Sequence, residues 1–223
     1  MKGTALDLHR RAAAVFGTLV HSVRNDQWEA PTPCAAWDVY ALVNHVVGEN
    51  RWVPLLFAGR TVADVGDLLE GELLGPDPQT AWDDSLGAAD RAISHDGAMV
   101  QTVHLSMGDV SGEEYITQLV ADLVVHAWDL ARAIGGNETL DASLVQAAAA
   151  WFSGVAEPAR QAGIVGPPLP VPDTADPQTK LLAAFGRDAS QPAHSSGAET
   201  TPKGGRLPHK QQEASGPVDA TLA

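Results

Sequence analysis

Cysteine, positive charge and long apolar runs are all scarce in this chain of 223 residues. Cys34 is the only cysteine, which excludes an intrachain disulfide and favours a reducing compartment. No stretch approaches the roughly 18 consecutive apolar residues of a membrane span, and the first residues lack the apolar core of a secretion signal. We therefore expect a cytoplasmic protein that does not enter membranes.

Positive charge is outnumbered two to one, with 14 basic against 28 acidic residues and a net charge of −14. The three basic and three acidic residues after position 188 cancel, so the whole excess lies in residues 1–188. Such a body repels phosphate backbones, which argues against nucleic acids and anionic membrane surfaces as partners. A small molecule or a cation is the partner class that fits.

Apolar residues recur at three- and four-residue spacing over most of the chain, which predicts helices. Five long helices are predicted, over 5–24, 38–59, 78–95, 113–134 and 141–162.

Shorter elements are predicted between and after these helices. Pro54 is expected to kink the last turn of the second helix or to end the helix early. Residues 61–77 are predicted to form a loop with at most a short helix, and 98–110 an extended segment or small hairpin. A short C-terminal helix is predicted near 178–187.

The predicted fold is all-α, an up-and-down four-helix bundle with little strand. From residue 189 onward the chain consists mostly of Ser, Gly, Pro, Thr, Gln and charged residues. Such a segment cannot bury enough apolar surface to offset its ordering entropy. The prediction is one helical domain over 1–188 and a disordered tail over 189–223.

An Asp-x-x-x-His pair stands out on the helix over 113–134. On a helical wheel, Asp122 and His126 share one face at the edge of the apolar stripe that contains Leu119. Two side chains one turn apart can direct two ligand atoms at one ion.

His45 lies at the edge of the buried face of the second helix, with Glu49 one turn later. If the two helices pack together, His45 approaches Asp122 and His126. Two imidazoles and one carboxylate leave an open coordination position, as in catalytic zinc sites. Glu49 or Asp129 could then orient a ligating histidine from behind.

The same residues have simpler interpretations that the spacing does not exclude. A histidine at the edge of an apolar face is more often a hydrogen-bonded core residue than a ligand. Asp122 can pair with His126 along the helix and stabilise it without any ion.

Two separated segments carry a family resemblance: TPCAAWD at 32–38 with LVNHVV at 42–47, and HAWDLARA at 126–133. They resemble the DinB-like superfamily that includes the N-terminal domain of mycothiol-dependent maleylpyruvate isomerase, and in particular an actinobacterial group of metal-binding proteins. The resemblance covers about residues 5–188.

The resemblance implies a DinB-like four-helix bundle with one divalent metal, held by His45, Asp122 and His126. The isomerase has Glu where this chain has Asp122, and it has a C-terminal domain that contributes to its active site. The implied metal is zinc, with nickel or another ion as an alternative.

The resemblance also implies a function. The favoured one is a metal-dependent thiol transferase or isomerase that uses mycothiol on a small electrophilic substrate. A metal-assisted hydrolase or lyase of specialised metabolism, and a non-catalytic metal- or ligand-binding protein, are the alternatives.

Other side chains receive lesser roles. Trp37 is expected to anchor the start of the second helix, and Trp52 and His104 to line a pocket. Trp128 lies opposite the apolar stripe, so it is expected to pack on another element or on a partner subunit of a homodimer. Cys34 is expected to be a small buried residue, because nothing cationic is beside it in sequence.

Overall fold

The computed structural model describes residues 3–34, 37–161, 163 and 165–190. In chain order its elements are α1 (Ala5–Ser22), α2 (Val39–Phe57), α3 (Val62–Val65), α4 (Pro78–Ile93), a 3-10 turn (Ala98–Val100), β1 (Thr102–Leu105), β2 (Gly108–Ser111), α5 (Gly112–Ile134), α6 (Ala142–Gln161) and α7 (Pro177–Ala184).

Four helices form the bundle. α1 packs along α5, and α2 packs along α4. Contacts of α1 with α4 and of α2 with α5 close the ring. α6 packs on the outer side of α5, and α7 packs on α6. The predicted all-α class is therefore confirmed.

Local sequence signals fix where the helices begin and end. Thr4 and Asp7 form a capping box at the start of α1, and the Asp38 carboxylate accepts the Ala41 N–H at the start of α2. Ser111 caps the start of α5, and Gly135 ends it in the left-handed conformation at φ 71°.

The hairpin prediction is confirmed, but the early end of the second helix that was one expected effect of Pro54 does not occur. β1 and β2 pair antiparallel, with Thr102 opposite Ser111. α2 continues through Pro54 to Phe57, and the Pro54 carbonyl accepts the Ala58 N–H at 3.1 Å. Pro54 thus lies in the last turn and does not end the helix early.

Gly112 joins the hairpin to α5 at a point where the backbone of the 3-10 turn lies very close to it. A Cβ at this position would lie 2.1 Å from the Ala98 carbonyl oxygen. The Gly112 N–H donates to the Gln101 carbonyl at 2.9 Å. Only glycine allows the 3-10 turn to pack against the start of α5, the helix that carries two of the candidate ligands.

The bundle interior contains two apolar clusters with a polar level between them. In α2, the apolar residues from Val39 to Val47 belong to one cluster, and those from Trp52 onward belong to the other. Each of the four bundle helices contributes a buried polar side chain between or at the border of these clusters. These residues are His9, Glu49, Asn50, Ser85 and Gln118.

Trp128 is buried within the chain, with the Arg132 guanidinium 4.2 Å above its ring. Its packing therefore needs no partner subunit, and the homodimer stays a prediction. Within the described ranges, none of the helices combines the length and apolar character that a bilayer crossing requires. The predicted disordered tail lies, from residue 191, outside the described residues, so its boundary near 188 also stays a prediction.

His9 gives the fold a testable acid sensitivity. It is fully buried, and neither ring nitrogen has a hydrogen-bond partner among the described residues. Burial lowers its pKa from 6.5 to about 4, with Asp90 opposing and Arg10 adding to the shift. Between these values the unfolded chain binds a proton that the folded chain does not. Stability is therefore lost as the pH falls through this window.

We predict that His9→Leu removes this loss. From pH 7 to pH 4.5, the free energy of unfolding should fall more in the wild type than in the variant, by up to about 3 kcal/mol. Urea unfolding followed by circular dichroism at stepped pH measures the difference. Parallel curves for the two proteins would contradict the prediction.

Candidate metal centre

His45 is positioned by α2, two turns after the Asp38 cap. The Asp38 Oδ1 atom accepts the Ala41 N–H at 2.8 Å and so fixes the first turn of the helix. His45 points inward, and only 5% of its side chain is exposed. Its Nε2 atom faces α5, where the other two candidate ligands lie.

Asp122 and His126 lie one turn apart on α5, with 1% and 2% of their side chains exposed. The Asp122 Oδ1 atom lies 3.2 Å from His126 Nε2 and 3.6 Å from His45 Nε2. One potential ligand atom from each residue lies within 4.8 Å of the others. The structure thus brings the three residues together, and their role as metal ligands stays a prediction.

Two of these atoms have charged neighbours but, among the described residues, no hydrogen bond, although both are buried. His45 Nε2 and Asp122 Oδ1 make no hydrogen bond to any described residue. A buried polar atom without a partner costs about 1–3 kcal/mol. A divalent cation would satisfy both atoms at once, and imidazole with carboxylate is a donor set that suits zinc. The residues present therefore fit the metal that the family resemblance implies.

His126 uses its other ring nitrogen on the opposite side. Its Nδ1 atom lies 3.1 Å from Asp129 Oδ2, in a hydrogen bond that is fully buried. A proton held on Nδ1 by the Asp129 carboxylate leaves the Nε2 lone pair for a metal. Asp129 thus lies where the sequence predicts a residue that orients the ligating histidine.

A second group of potential ligands shares His126 and includes Cys34 and Asp129. This group already contains a cation. The Arg187 guanidinium lies 3.1 Å from Asp129 Oδ2 and 2.6 Å from Cys34 Sγ. A metal ion there would be repelled by Arg187, so the geometry favours the side of His126 that faces His45 and Asp122.

The electrostatics of the three residues are tightly coupled. Burial lowers the pKa of His45, and Asp122 only partly opposes it. Burial also lowers the pKa of His126, but Asp122 and then Asp129 outweigh it and raise this pKa well above its ordinary value. Burial raises the pKa of Asp122, yet His126 and His45 outweigh it and hold the value at about 2. A metal would therefore compete with a proton for His126 Nε2.

Trp37 covers the two imidazoles. Its ring centroid lies 4.7 Å from that of His45 and 5.6 Å from that of His126. Its carbonyl accepts hydrogen bonds from the backbone N–H and the hydroxyl of Thr32. Trp37 therefore contacts the candidate ligands directly, in addition to its expected place before the second helix.

The remaining predicted site residues divide into buried and exposed ones. Glu49 is buried one turn after His45, and Trp52 packs in the second apolar cluster. His104 instead lies on β1 with 37% of its side chain exposed, and its Nδ1 atom lies 2.7 Å from Asp109 Oδ1. His104 therefore pairs with Asp109 on the hairpin and does not lie with the buried candidate ligands. The pocket roles of Glu49, Trp52 and His104 stay predictions.

Tyr115 was not singled out by its position in the sequence. Its hydroxyl is buried and makes no hydrogen bond to any described residue. Burial raises its pKa well above the ordinary value, and the negative charges of Glu49 and then Asp122 add to this. Tyr115 therefore places a buried hydroxyl in the second apolar cluster, within the electrostatic influence of Glu49 and Asp122. Its helical position resembles that of an ordinary core aromatic, so periodicity gives no signal for it.

Cys34 is buried as expected, and folding gives it a cationic neighbour that it does not have in sequence. Arg187 is separated from it by 153 residues and contacts its sulfur. The Cys34 thiol also donates to Asp129 Oδ2 at 3.4 Å. Neighbours in sequence do not include this arginine, which folding brings from the end of the domain.

Comparison with known proteins gives one family and two relatives. The model of the mycothiol maleylpyruvate isomerase N-terminal domain matches residues 9–131. The uncharacterized proteins MT0763 and Rv0738 of Mycobacterium tuberculosis, strains CDC 1551 / Oshkosh and H37Rv, are each 36% identical over 144 residues. This alignment spans 61% of this chain and 70% of each relative. No solved structure matches the chain significantly.

The buried contacts of Cys34 predict that its thiol reacts slowly in the folded protein. Because Cys34 is the only cysteine, its reaction with a disulfide reagent reports opening of the loop that carries it. An opening that costs about 3 kcal/mol makes the native rate about 100-fold lower than the rate in denaturant. A Cys34→Ser, Ser153→Cys variant, with its thiol on the exposed face of α6, is the control. Equal native rates for the two proteins would contradict the prediction.

Proposed function

Because the chain belongs to the family of the mycothiol maleylpyruvate isomerase N-terminal domain, we propose that it binds one divalent metal through His45, Asp122 and His126. We propose further that the metal serves a thiol-dependent transferase or isomerase reaction on a small electrophilic substrate. Isomerisation of maleylpyruvate itself is not part of the proposal, since Asp122 replaces the Glu of the isomerase.

The observation that carries the metal proposal is the pair of unsatisfied buried atoms, His45 Nε2 and Asp122 Oδ1. They point at each other and at His126 Nε2 across less than 5 Å of protein interior. Three protein ligands of this kind leave one coordination position for an exogenous ligand. Zinc is the favoured ion for two imidazoles and a carboxylate, and nickel is the alternative.

The thiol proposal rests on the family and on the chemistry of the donor set. A zinc-like ion at this position would lower the pKa of a bound thiol such as that of mycothiol. The protein itself orients the ligating histidine and covers both imidazoles. Asp129 keeps a proton on His126 Nδ1, and Trp37 shields both imidazoles from water.

One observation favours a second candidate, a metal- or ligand-binding protein without catalysis. The three candidate ligands are 1–5% exposed, and Trp37 lies over both imidazole rings. A thiol and a substrate would need this cover to move. A protein that only stores or senses a metal has no such requirement. The two candidate functions therefore predict the same metal content but different turnover.

We predict that alanine at His45, Asp122 or His126 reduces bound zinc from about one ion per chain to background, because each substitution removes one of only three protein ligands. Elemental analysis of proteins reconstituted with zinc and then desalted measures the content. His104→Ala is the matched control, since this histidine pairs with Asp109 on the hairpin and should leave the content unchanged. Wild-type content in all three ligand variants would overturn the metal assignment.

A second prediction concerns turnover. The zinc-loaded protein should consume a small electrophile, drawn from a panel of epoxides, quinones and activated alkenes, only when mycothiol is present. Product formation followed by mass spectrometry should fall at least about 100-fold in His126→Ala, as expected when a metal-held nucleophile is lost. Zinc binding without thiol-dependent turnover on any member would favour the non-catalytic candidate. Turnover that needs zinc but no thiol would favour a hydrolase or lyase.

A further inference from the structure

The backbone turn at the end of α7 positions Arg187. Gly186 adopts φ 76°, and its N–H donates to the Ala183 carbonyl at 3.0 Å. The Arg187 N–H donates to the Leu182 carbonyl at 2.8 Å. These two hydrogen bonds form a Schellman motif, which reverses the chain after the helix. The reversal directs the Arg187 side chain into the protein, where only 7% of it is exposed.

The guanidinium of Arg187 uses all three of its nitrogens. Nε lies 3.4 Å from Asp129 Oδ1, and Nη2 lies 3.1 Å from Asp129 Oδ2. Nη2 also contacts Cys34 Sγ at 2.6 Å, and Nη1 donates to the Phe185 carbonyl at 2.9 Å. The planar fork of arginine matches this two-point contact with a carboxylate, which a lysine ammonium cannot reproduce.

Asp129 passes this constraint to His126. Its Oδ2 atom accepts from Arg187 and is also the partner of His126 Nδ1. A carboxylate held on one side by arginine cannot rotate away from the imidazole on the other. The ring of His126 is thereby fixed with Nε2 directed toward Asp122 and His45.

We propose that Arg187 is a positioning residue of the metal centre, and that it holds Asp129 so that His126 presents Nε2 to the metal. Arg187 also ties down Cys34, which lies in the same loop as Trp37, the residue that covers the imidazoles. The segment that follows α7 is then part of the centre, although it lies outside the matched residues 9–131. This inference rests on the proposed metal function.

The test compares wild type with Arg187→Met, which keeps the length of the side chain but removes the charge and the fork. Zinc affinity, measured by competition with a chromogenic chelator, should weaken at least about tenfold, as is typical when a partner behind a ligating histidine is lost. In the metal-free protein, NMR should show a protected His126 Nδ1–H proton in wild type. In Arg187→Met this proton should exchange faster, and His126→Gln assigns the signal.

Two further variants separate positioning from general stability. Arg160→Met removes another partly buried arginine of the same C-terminal region, one that donates to the Ala184 carbonyl at 3.1 Å and does not contact Asp129. It should leave zinc affinity and the His126 proton unchanged. Arg187→Lys keeps the charge without the fork, so its zinc affinity should lie between those of wild type and Arg187→Met.

The outcomes distinguish the two proposals. If wild type binds no zinc, the proposed function fails, while the His126 proton still reports on Arg187. If wild type binds zinc and Arg187→Met binds it equally well with an unchanged His126 proton, the positioning role is overturned. If Arg187→Met does not fold, Arg187→Lys decides, and wild-type affinity in the lysine variant overturns the role.

Discussion

A buried imidazole with a carboxylate at each ring nitrogen is the arrangement on which the rest of this structure depends. His126 faces Asp122 through Nε2 and Asp129 through Nδ1, and all three side chains are almost fully removed from water. Charged and polar groups at such depth are costly unless each is paired. The Asp129 side is paired by Arg187, whereas on the Asp122 side Asp122 Oδ1 and His45 Nε2 make no hydrogen bond to any described residue. The two ring nitrogens of His126 therefore have different surroundings, and the atoms without such hydrogen bonds lie on the Nε2 side.

The bundle supplies the rigidity that this arrangement requires. Long helices on both sides of the ligands pack into two apolar clusters, and the polar residues are confined between or beside them. A close-packed interior holds side chains in single rotamers, so His45 and His126 keep their relation across two helices. The same packing seals the site. Any chemistry with an external thiol or substrate therefore depends on movement of the loop that carries Trp37.

The C-terminal region reaches the candidate metal centre from outside the four bundle helices. α6 packs on α5, α7 packs on α6, and the turn after α7 returns Arg187 to Asp129. The matched family region ends at residue 131, so it includes the candidate ligands but not this arginine. Stability and site geometry are thus linked, because loss of the C-terminal packing would leave Asp129 as a buried charge without its cation.

Local periodicity was enough to predict the helices and the pairing of Asp122 with His126, because both depend on residues close together in the chain. Apolar spacing located all five long helices to within two residues at each end. The helical wheel also placed His45 at the edge of a buried face. Three features became visible only in the folded chain: the Trp37 ring lies against both imidazoles, the Tyr115 hydroxyl is buried without a hydrogen bond to any described residue, and Arg187 reaches Cys34 across 153 residues. Such features depend on how helices pack and where the chain reverses, and these are properties that no local pattern encodes.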